Sequence, residues 1–299
     1  MKKIFVIFLF LLLLLGCNSQ KKNSNSSETI IDDLGNSFSL SAQQEKVVSL
    51  APNLTEIIFF VGGENYLKGV TTYCDFPPQA QQIEKIGDLI TIDYEKIYKI
   101  NPDIIFMTVE GNTKAQYEKL KNLGFNVFVS NPRNFKGIEK SILQIGKILG
   151  KGQNAEHKID SLNYVLKNIK GKIKPENDSA LFLISVQPLM ATNNNTFIGE
   201  YLSFFGMKNI ARKSSQSYPV INIETIIKEN PSMIILPEKM CSQFEDLVKQ
   251  TPILKNIGAI KNHKIIKINP DLYFKPGPRF VKALIDLKNK IGKHVADSN

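Results

Sequence analysis

Two kinds of hydrophobic pattern divide this chain. Short continuous apolar runs, as in strands buried on both faces, occur at Val47-Val48-Ser49-Leu50, Ile104-Ile105-Phe106-Met107, Asn126 to Val129, Ala180 to Val186, Met233-Ile234-Ile235-Leu236 and Lys264 to Ile268. Val70-Thr71-Thr72-Tyr73 reads as a further strand leading into the Pro77-Pro78 turn. Helical stretches lie between them: Asn53 to Ile58, Tyr117 to Leu123 closed by Gly124, and Phe197 to Phe205 stopped by Gly206. Strands alternating with helices predict parallel sheets under helical cover. Midway, residues 154–174 carry Ile159, Leu162, Val165, Leu166 and Ile169 at spacings of three and four, an amphipathic helix. The expectation is an α/β fold of two lobes, residues 29–152 and 177–299, joined by one long helix over 153–176. Such a link is stiffer than crossing strands and favours small closing motions over a wide hinge.

An internal repeat supports two related lobes. Ile92-Asp93-Tyr94-Glu95-Lys96-Ile97-Tyr98-Lys99-Ile100-Asn101-Pro102 and Ile221-Asn222-Ile223-Glu224-Thr225-Ile226-Ile227-Lys228-Glu229-Asn230-Pro231 share Ile, Glu, Ile, Lys, Asn and Pro at a constant offset. Each reads as a short helix capped by Asp93 or Asn222, with an acid in the first turn where the dipole favours it. Proline prevents continuation, and an apolar strand follows each.

The amino terminus addresses the compartment. Met1-Lys2-Lys3 is followed by an unbroken apolar run from Ile4 to Leu15, short for a membrane span and suited to the core of a secretory signal. Leu14-Leu15-Gly16-Cys17 resembles the lipobox of bacterial lipoproteins, which implies cleavage after residue 16 and acylation of Cys17. Residues 18–28 are wholly polar and predict a flexible tether. The protein is therefore expected to be exported and held by lipid to a bacterial membrane, facing the periplasm or cell exterior.

Composition adds mainly exclusions. The length, 299 residues, suits two domains of about 100–150 residues each. The formal charge of +10 becomes +8 when Lys2 and Lys3 leave with the signal. The excess lysine is spread over helices and not interleaved with aromatics, which argues against nucleic acid. His157, His263 and His294 have no partners at metal spacing, so no metal site is expected. Cys74 and Cys241 fall in different lobes and are expected to stay unbridged, as small buried thiols. No GxSxG, HExxH, CxxC or P-loop pattern occurs, so no catalysis and no catalytic cofactor are expected.

Three stretches carry a resemblance: VVSLAPNLTEIIFFVG from Val47, GVTTYCDFPPQAQQIEKIGD from Gly69, and IDYEKIYKINPDIIFM from Ile92. They resemble the substrate-binding proteins of ABC importers that have a rigid helical backbone, a family serving cobalamin, haem and ferric siderophores. The similarity spans roughly residues 29–290, and the run from Tyr73 to Ala80 is most like the cobalamin branch. The resemblance implies a cleft between the lobes at the carboxyl ends of the strands. Its positions here are Pro52, Asn53, Tyr73, Leu89, Thr108, Met190, Tyr218, Asp271, Tyr273 and Lys275. Core packing is the competing fate for Met190, Tyr218 and Tyr273. Cobalamin binders of the family tend to place Trp at several of these points. This chain has none, and Leu89, Thr108 and Tyr218 stand there instead.

The resemblance also implies one surface Glu per lobe that docks on Arg-lined pockets of the permease, at Glu95 and Glu224. The reading that follows is a monomeric, lipid-anchored binding protein. It takes a cobalamin-like corrinoid and delivers it to an ABC permease and its ATPase. Haem or a ferric siderophore is the alternative cargo. A lipoprotein enzyme or surface adhesin on the same scaffold is the alternative class.

Overall fold

The computed structural model describes residues 29–40, 44–170 and 178–296. The signal, Cys17 and the tether lie outside the described residues. The first described element is an antiparallel hairpin, β1 (Thr29–Ile31) with β2 (Ser37–Ser39), in the register Thr29↔Ser39. The Asp32 carboxylate organises its turn by accepting from the backbone N–H groups of Leu34 and Asn36.

The N-terminal lobe then runs β3 (Val47–Ser49), α1 (Pro52–Phe60), β4 (Leu67–Val70), α2 (Tyr94–Ile100), β5 (Ile104–Thr108), α3 (Lys114–Asn122), β6 (Val127–Ser130) and α4 (Phe135–Ile148). Its sheet has the order β4-β3-β5-β6, and every pair is parallel. These strands are buried almost throughout, as the continuous apolar runs require. Helix α1 begins at Pro52, one residue earlier than expected, because a proline at the first helical position has its φ already set.

Helix α5 (Gly152–Lys170) links the lobes. It packs against α4 so closely that a Cβ on Gly146 would lie 2.5 Å from the Ala155 Cβ. The C-terminal lobe follows as β7 (Ser179–Val186), β8 (Leu189–Ala191), α6 (Phe197–Phe204), β9 (Lys208–Asn209), α7 (Ile223–Glu229), β10 (Met233–Pro237), α8 (Cys241–Gln250), β11 (Ile265–Ile268) and α9 (Phe280–Ala296). The order is β11-β10-β7-β8, with β9 beside β7. Only β8 runs antiparallel.

The repeat is structural as well as sequential. Asp93 accepts from the Lys96 N–H at 3.0 Å, and Asn222 from the Thr225 N–H at 2.9 Å. Both helices end on a left-handed asparagine, Asn101 with φ 48° and Asn230 with φ 40°. Asparagine tolerates this backbone better than other L-residues with a side chain. Five-residue strands β5 and β10 follow at the same offset.

One apolar core is continuous across both lobes. Its centre is aromatic: Phe135 at the start of α4 stacks on Phe280 of α9 with ring centroids 4.6 Å apart, and Tyr201 of α6 meets Phe135 edge-on at 5.6 Å. Helix α9 also packs on α5. One strand boundary moves: residues 71–73 leave the sheet, and β4 occupies Leu67–Val70. Gly69 and Val70 pair with β3, and the Cys74 N–H then turns back to the Thr71 carbonyl at 3.0 Å. The β-branched Thr71-Thr72 pair is thus overridden by tertiary pairing.

Candidate ligand cleft between the lobes

Parallel strands deliver their carboxyl ends to one edge, and ligands of open α/β sheets bind there. In the N-terminal lobe the loops after β3, β4 and β5 meet the segment Phe274–Pro276 that precedes α9. Together they line an open cavity of 280 Å³. Pro52 and Asn53 come from the start of α1, Tyr73 from the loop after β4, and Leu89 from the loop before α2. Thr108 is the last residue of β5, and Lys275 lies on the return segment. Six sequence-predicted positions are thereby brought to one wall. Ala51, Glu110, Gly111, Phe274 and Pro276 complete the lining, which is apolar and aromatic with few polar groups.

Local bonds fix this shape. Asn112 accepts from the Thr108 N–H at 3.0 Å and donates to the Leu50 carbonyl at 3.1 Å, folding the β5 loop back on the sheet. Asn53 is buried and donates to the Pro276 carbonyl at 3.3 Å. Gln116 donates to the carbonyls of Leu89 and Ile90, both at 3.0 Å. Tyr73 is 57% exposed, so its ring is available at the wall.

The remaining predicted positions lie elsewhere. Met190 is half-buried, paired through its backbone with Val220, and does not line the cavity. Asp271 is exposed at the surface, 3.8 Å from Lys275 Nζ. Tyr273 corrects the expectation: it is wholly buried, its ring 5.4 Å from that of Tyr201, and its hydroxyl donates to Asp286 at 2.8 Å. Burial, reinforced by that carboxylate, raises its phenol far above the ordinary range. It is a core residue because the first turn after Pro270 points inward towards α6 and α9.

The charges around the cleft are paired. Lys275 Nζ lies 3.0 Å from Asp75 Oδ1. Burial works to raise the Asp75 carboxyl, but the Lys275 hydrogen bond and charge outweigh it and hold the group below its usual value. Arg279 makes a two-pronged bond to Glu56 on α1, at 2.7 and 2.6 Å, and its Cζ sits 4.1 Å over the Phe76 ring. The Glu56 side chain is only 3% exposed. Burial raises its carboxyl, and Arg279 offsets part of that rise.

Glu56 and Arg279 also line a larger cavity, of 660 Å³, between α1, α5 and α9. No residue lines both spaces. The larger one lies away from the strand ends, so the smaller is the candidate site.

Of a polar cluster at the mouth of the cleft, sequence reasoning named Tyr218 and missed Glu110, Arg133 and Ser217. Arg133, after β6, reaches Glu110 Oε1 at 2.7 Å and Ser217 Oγ at 2.6 Å. The Tyr218 hydroxyl donates to the same Glu110 carboxylate at 3.3 Å. Burial first, and then Glu110, raises the Tyr218 phenol well above its ordinary range. Glu110 and Arg133 follow the ends of β5 and β6, and that position is the signal that would have found them.

The other candidate residues have plain surroundings. Glu95 and Glu224 are exposed in the first turns of α2 and α7. Cys74 is buried, with the Thr55 and Thr71 hydroxyls each 3.2 Å from its sulfur. It and the half-buried Cys241 are free thiols. Among the described residues no group of three or more His, Cys, Asp or Glu is placed to hold a metal ion, and no helix is long and apolar enough to cross a membrane.

Two α/β lobes on a helical link, with a cleft at the strand ends, define a solute-binding architecture. The chain belongs to the periplasmic binding protein family, whose model matches residues 47–272. It is 29% identical to the uncharacterised ABC transporter substrate-binding lipoprotein YvrC of Bacillus subtilis, over 95% of each chain. It is 28% identical to the vitamin B12-binding protein of Vibrio vulnificus, covering 83% of this chain and 91% of that one. The crystal structure of the periplasmic vitamin B12-binding protein BtuF of Vibrio cholerae superposes with a TM-score of 0.73 at 26% identity, over 84% of this chain and 98% of that one. The protein is thus a non-catalytic, ABC-transporter substrate-binding protein of the family that serves vitamin B12, haem and siderophores. That class implies a permease as partner.

Proposed function

We propose that this protein captures a cobalamin-like corrinoid in the inter-lobe cleft and delivers it to an ABC permease. The observation that carries this reading is the charge state of the cleft. Among the described residues, Lys275 on the cavity wall is matched by Asp75, and Arg133 at the cleft mouth by Glu110. A polyanionic ferric siderophore, or the carboxylates of haem, would have to compete with those acids for every cation. A macrocycle rimmed with neutral amides asks only for hydrogen-bond partners and apolar contact. Pro52, Leu89 and Phe274 supply apolar surface, Tyr73 an aromatic face, and Asn53 and Thr108 the neutral polar atoms. The two vitamin B12-binding relatives support the same choice.

In this reading Cys17 carries the lipid anchor, and Glu95 and Glu224 meet the permease, one from each lobe. Calorimetric titration tests the cargo directly, with cyanocobalamin, haemin and a ferric catecholate siderophore as three separate probes. Micromolar or tighter binding of cyanocobalamin, with the other two weaker, is the expected result. Binding of haemin or the siderophore in preference would reassign the cargo and leave the transport role standing.

A further inference from the structure

The cluster at the cleft mouth joins the two lobes, and its parts come from opposite sides. Glu110 and Arg133 extend from the ends of β5 and β6 in the N-terminal lobe, while Ser217 and Tyr218 lie between β9 and α7 in the C-terminal lobe. Two kinds of bond cross the gap, Arg133 to Ser217 and Tyr218 to Glu110. A third, Arg133 to Glu110, stays within one lobe and neutralises the pair. Glu110 has a double position, since it also belongs to the cavity wall.

The other cross-lobe polar bonds near the cleft differ in kind. Asn53 to Pro276, Asp75 to Lys275 and Glu56 to Arg279 all tie the N-terminal lobe to the segment before α9, close to the shared core. The mouth cluster is partly exposed, its Arg133 and Glu110 side chains 38% and 29% accessible. Exposed polar bonds of this sort are individually weak and reversible.

Size gives the cluster a purpose. Pockets for drug-sized ligands run to about 300–1,000 Å³. The cleft cavity measures 280 Å³, and a corrinoid, like haem, is larger than that space. With α5 and the aromatic core resisting a wide hinge, the open mouth is where the cleft has room to widen.

We infer that Glu110, Arg133, Ser217 and Tyr218 form a latch that sets the width of the cleft, and that cargo enters only as its cross-lobe bonds part. The inference rests on the binding-protein reading, and it holds for any cargo larger than the cavity. The polar rim of an entering macrocycle takes over the freed donors and acceptors. Selectivity follows, because a small solute cannot repay the broken bonds with contacts to both lobes. Apparent affinity is the intrinsic affinity scaled by the open fraction. With that fraction at about 10%, removing the latch raises the association rate of cargo by up to about tenfold.

The test uses the double variant Ser217→Ala/Tyr218→Phe. It removes both crossing contacts and leaves the Glu110–Arg133 pair intact, so no charge is stranded. Nitroxide labels are placed at Ile90→Cys and Val220→Cys, whose native side chains are 84% and 66% exposed, in a Cys241→Ser background of the full chain in detergent. Pulsed electron-paramagnetic-resonance distances are recorded without added cargo. The expected result is a longer, broader distance distribution in the double variant than in its parent, and faster cyanocobalamin association by stopped flow. An unchanged distance distribution would overturn the latch. Should the parent fail to bind cyanocobalamin, the corrinoid reading falls, while the distance measurement still judges the latch by itself.

Discussion

The two lobes share a building block and use its end differently. In both, an asparagine or aspartate cap, a two-turn helix, a left-handed asparagine and a proline lead into a five-residue buried strand. At the last residue of that strand they part. Thr108 ends β5, and its N–H is free to bond Asn112, which bends the loop into a cavity wall. Its counterpart Pro237 ends β10 with no N–H to give. The chain turns there through Glu238–Met240 directly into α8. The N-terminal lobe therefore holds most of the cavity, and the C-terminal lobe contributes the segment before α9 and the cross-lobe partners Ser217 and Tyr218. The duplicated unit carries scaffold and a surface Glu, while the unduplicated loops line the cleft cavity.

Charge reversal tests the shared part most severely. In the proposed docking, Glu95→Lys or Glu224→Lys would set like charge against the permease, a penalty of several kcal/mol, so uptake should fall about a hundredfold or more. Either single reversal should suffice, with cargo affinity unchanged by calorimetry. Loss of cargo binding, or uptake insensitive to one of the two, would break the equivalence of the lobes.

Removing Arg279 tests the unshared part. In Arg279→Ala the Glu56 carboxylate loses its partner in a buried site, which costs about 3–5 kcal/mol. Urea unfolding at neutral pH measures the loss. Glu56 titrates above its usual value in the folded state, so the stability tied to its protonated form is complete below about pH 4.5. It is lost as pH rises through the folded value. The variant raises that value further, and its deficit should shrink as pH falls towards 4.5. A deficit independent of pH would detach the effect from Glu56.

The smallest effect is the finest test of the repeat. Asp93→Ala and Asn222→Ala should each cost about 1 kcal/mol through the lost cap, and the two costs should agree. Unequal values would mean that one helix is held by its surroundings and no longer by its own cap.

Much of this architecture was readable from residue order, because its causes are local. Continuous apolar runs mark strands covered on both faces, and the caps Asp93 and Asn222 lie within three residues of the N–H groups they satisfy. The cleft wall was readable in part through the family resemblance, which implied Pro52, Asn53, Tyr73, Leu89 and Thr108. What escaped depends on distant partners. Nothing near Arg133 reveals Glu110 or Ser217, which are 23 and 84 positions away. Tyr273 is placed in the core by Tyr201 and Asp286, neither of which is its neighbour in sequence. The short strand β4 follows from its register with β3 rather than from the β-branched residues beyond it.

The stack of Phe135 on Phe280 has a further consequence. Its two faces belong to segments on either side of the link, so neither half of the molecule can melt without stripping solvent-shy surface from the other. The shared core couples the unfolding of the two lobes, so the resistance of one to a protease draws on the other. A protein built as two lobes around an opening thus has its endurance tied together at its centre.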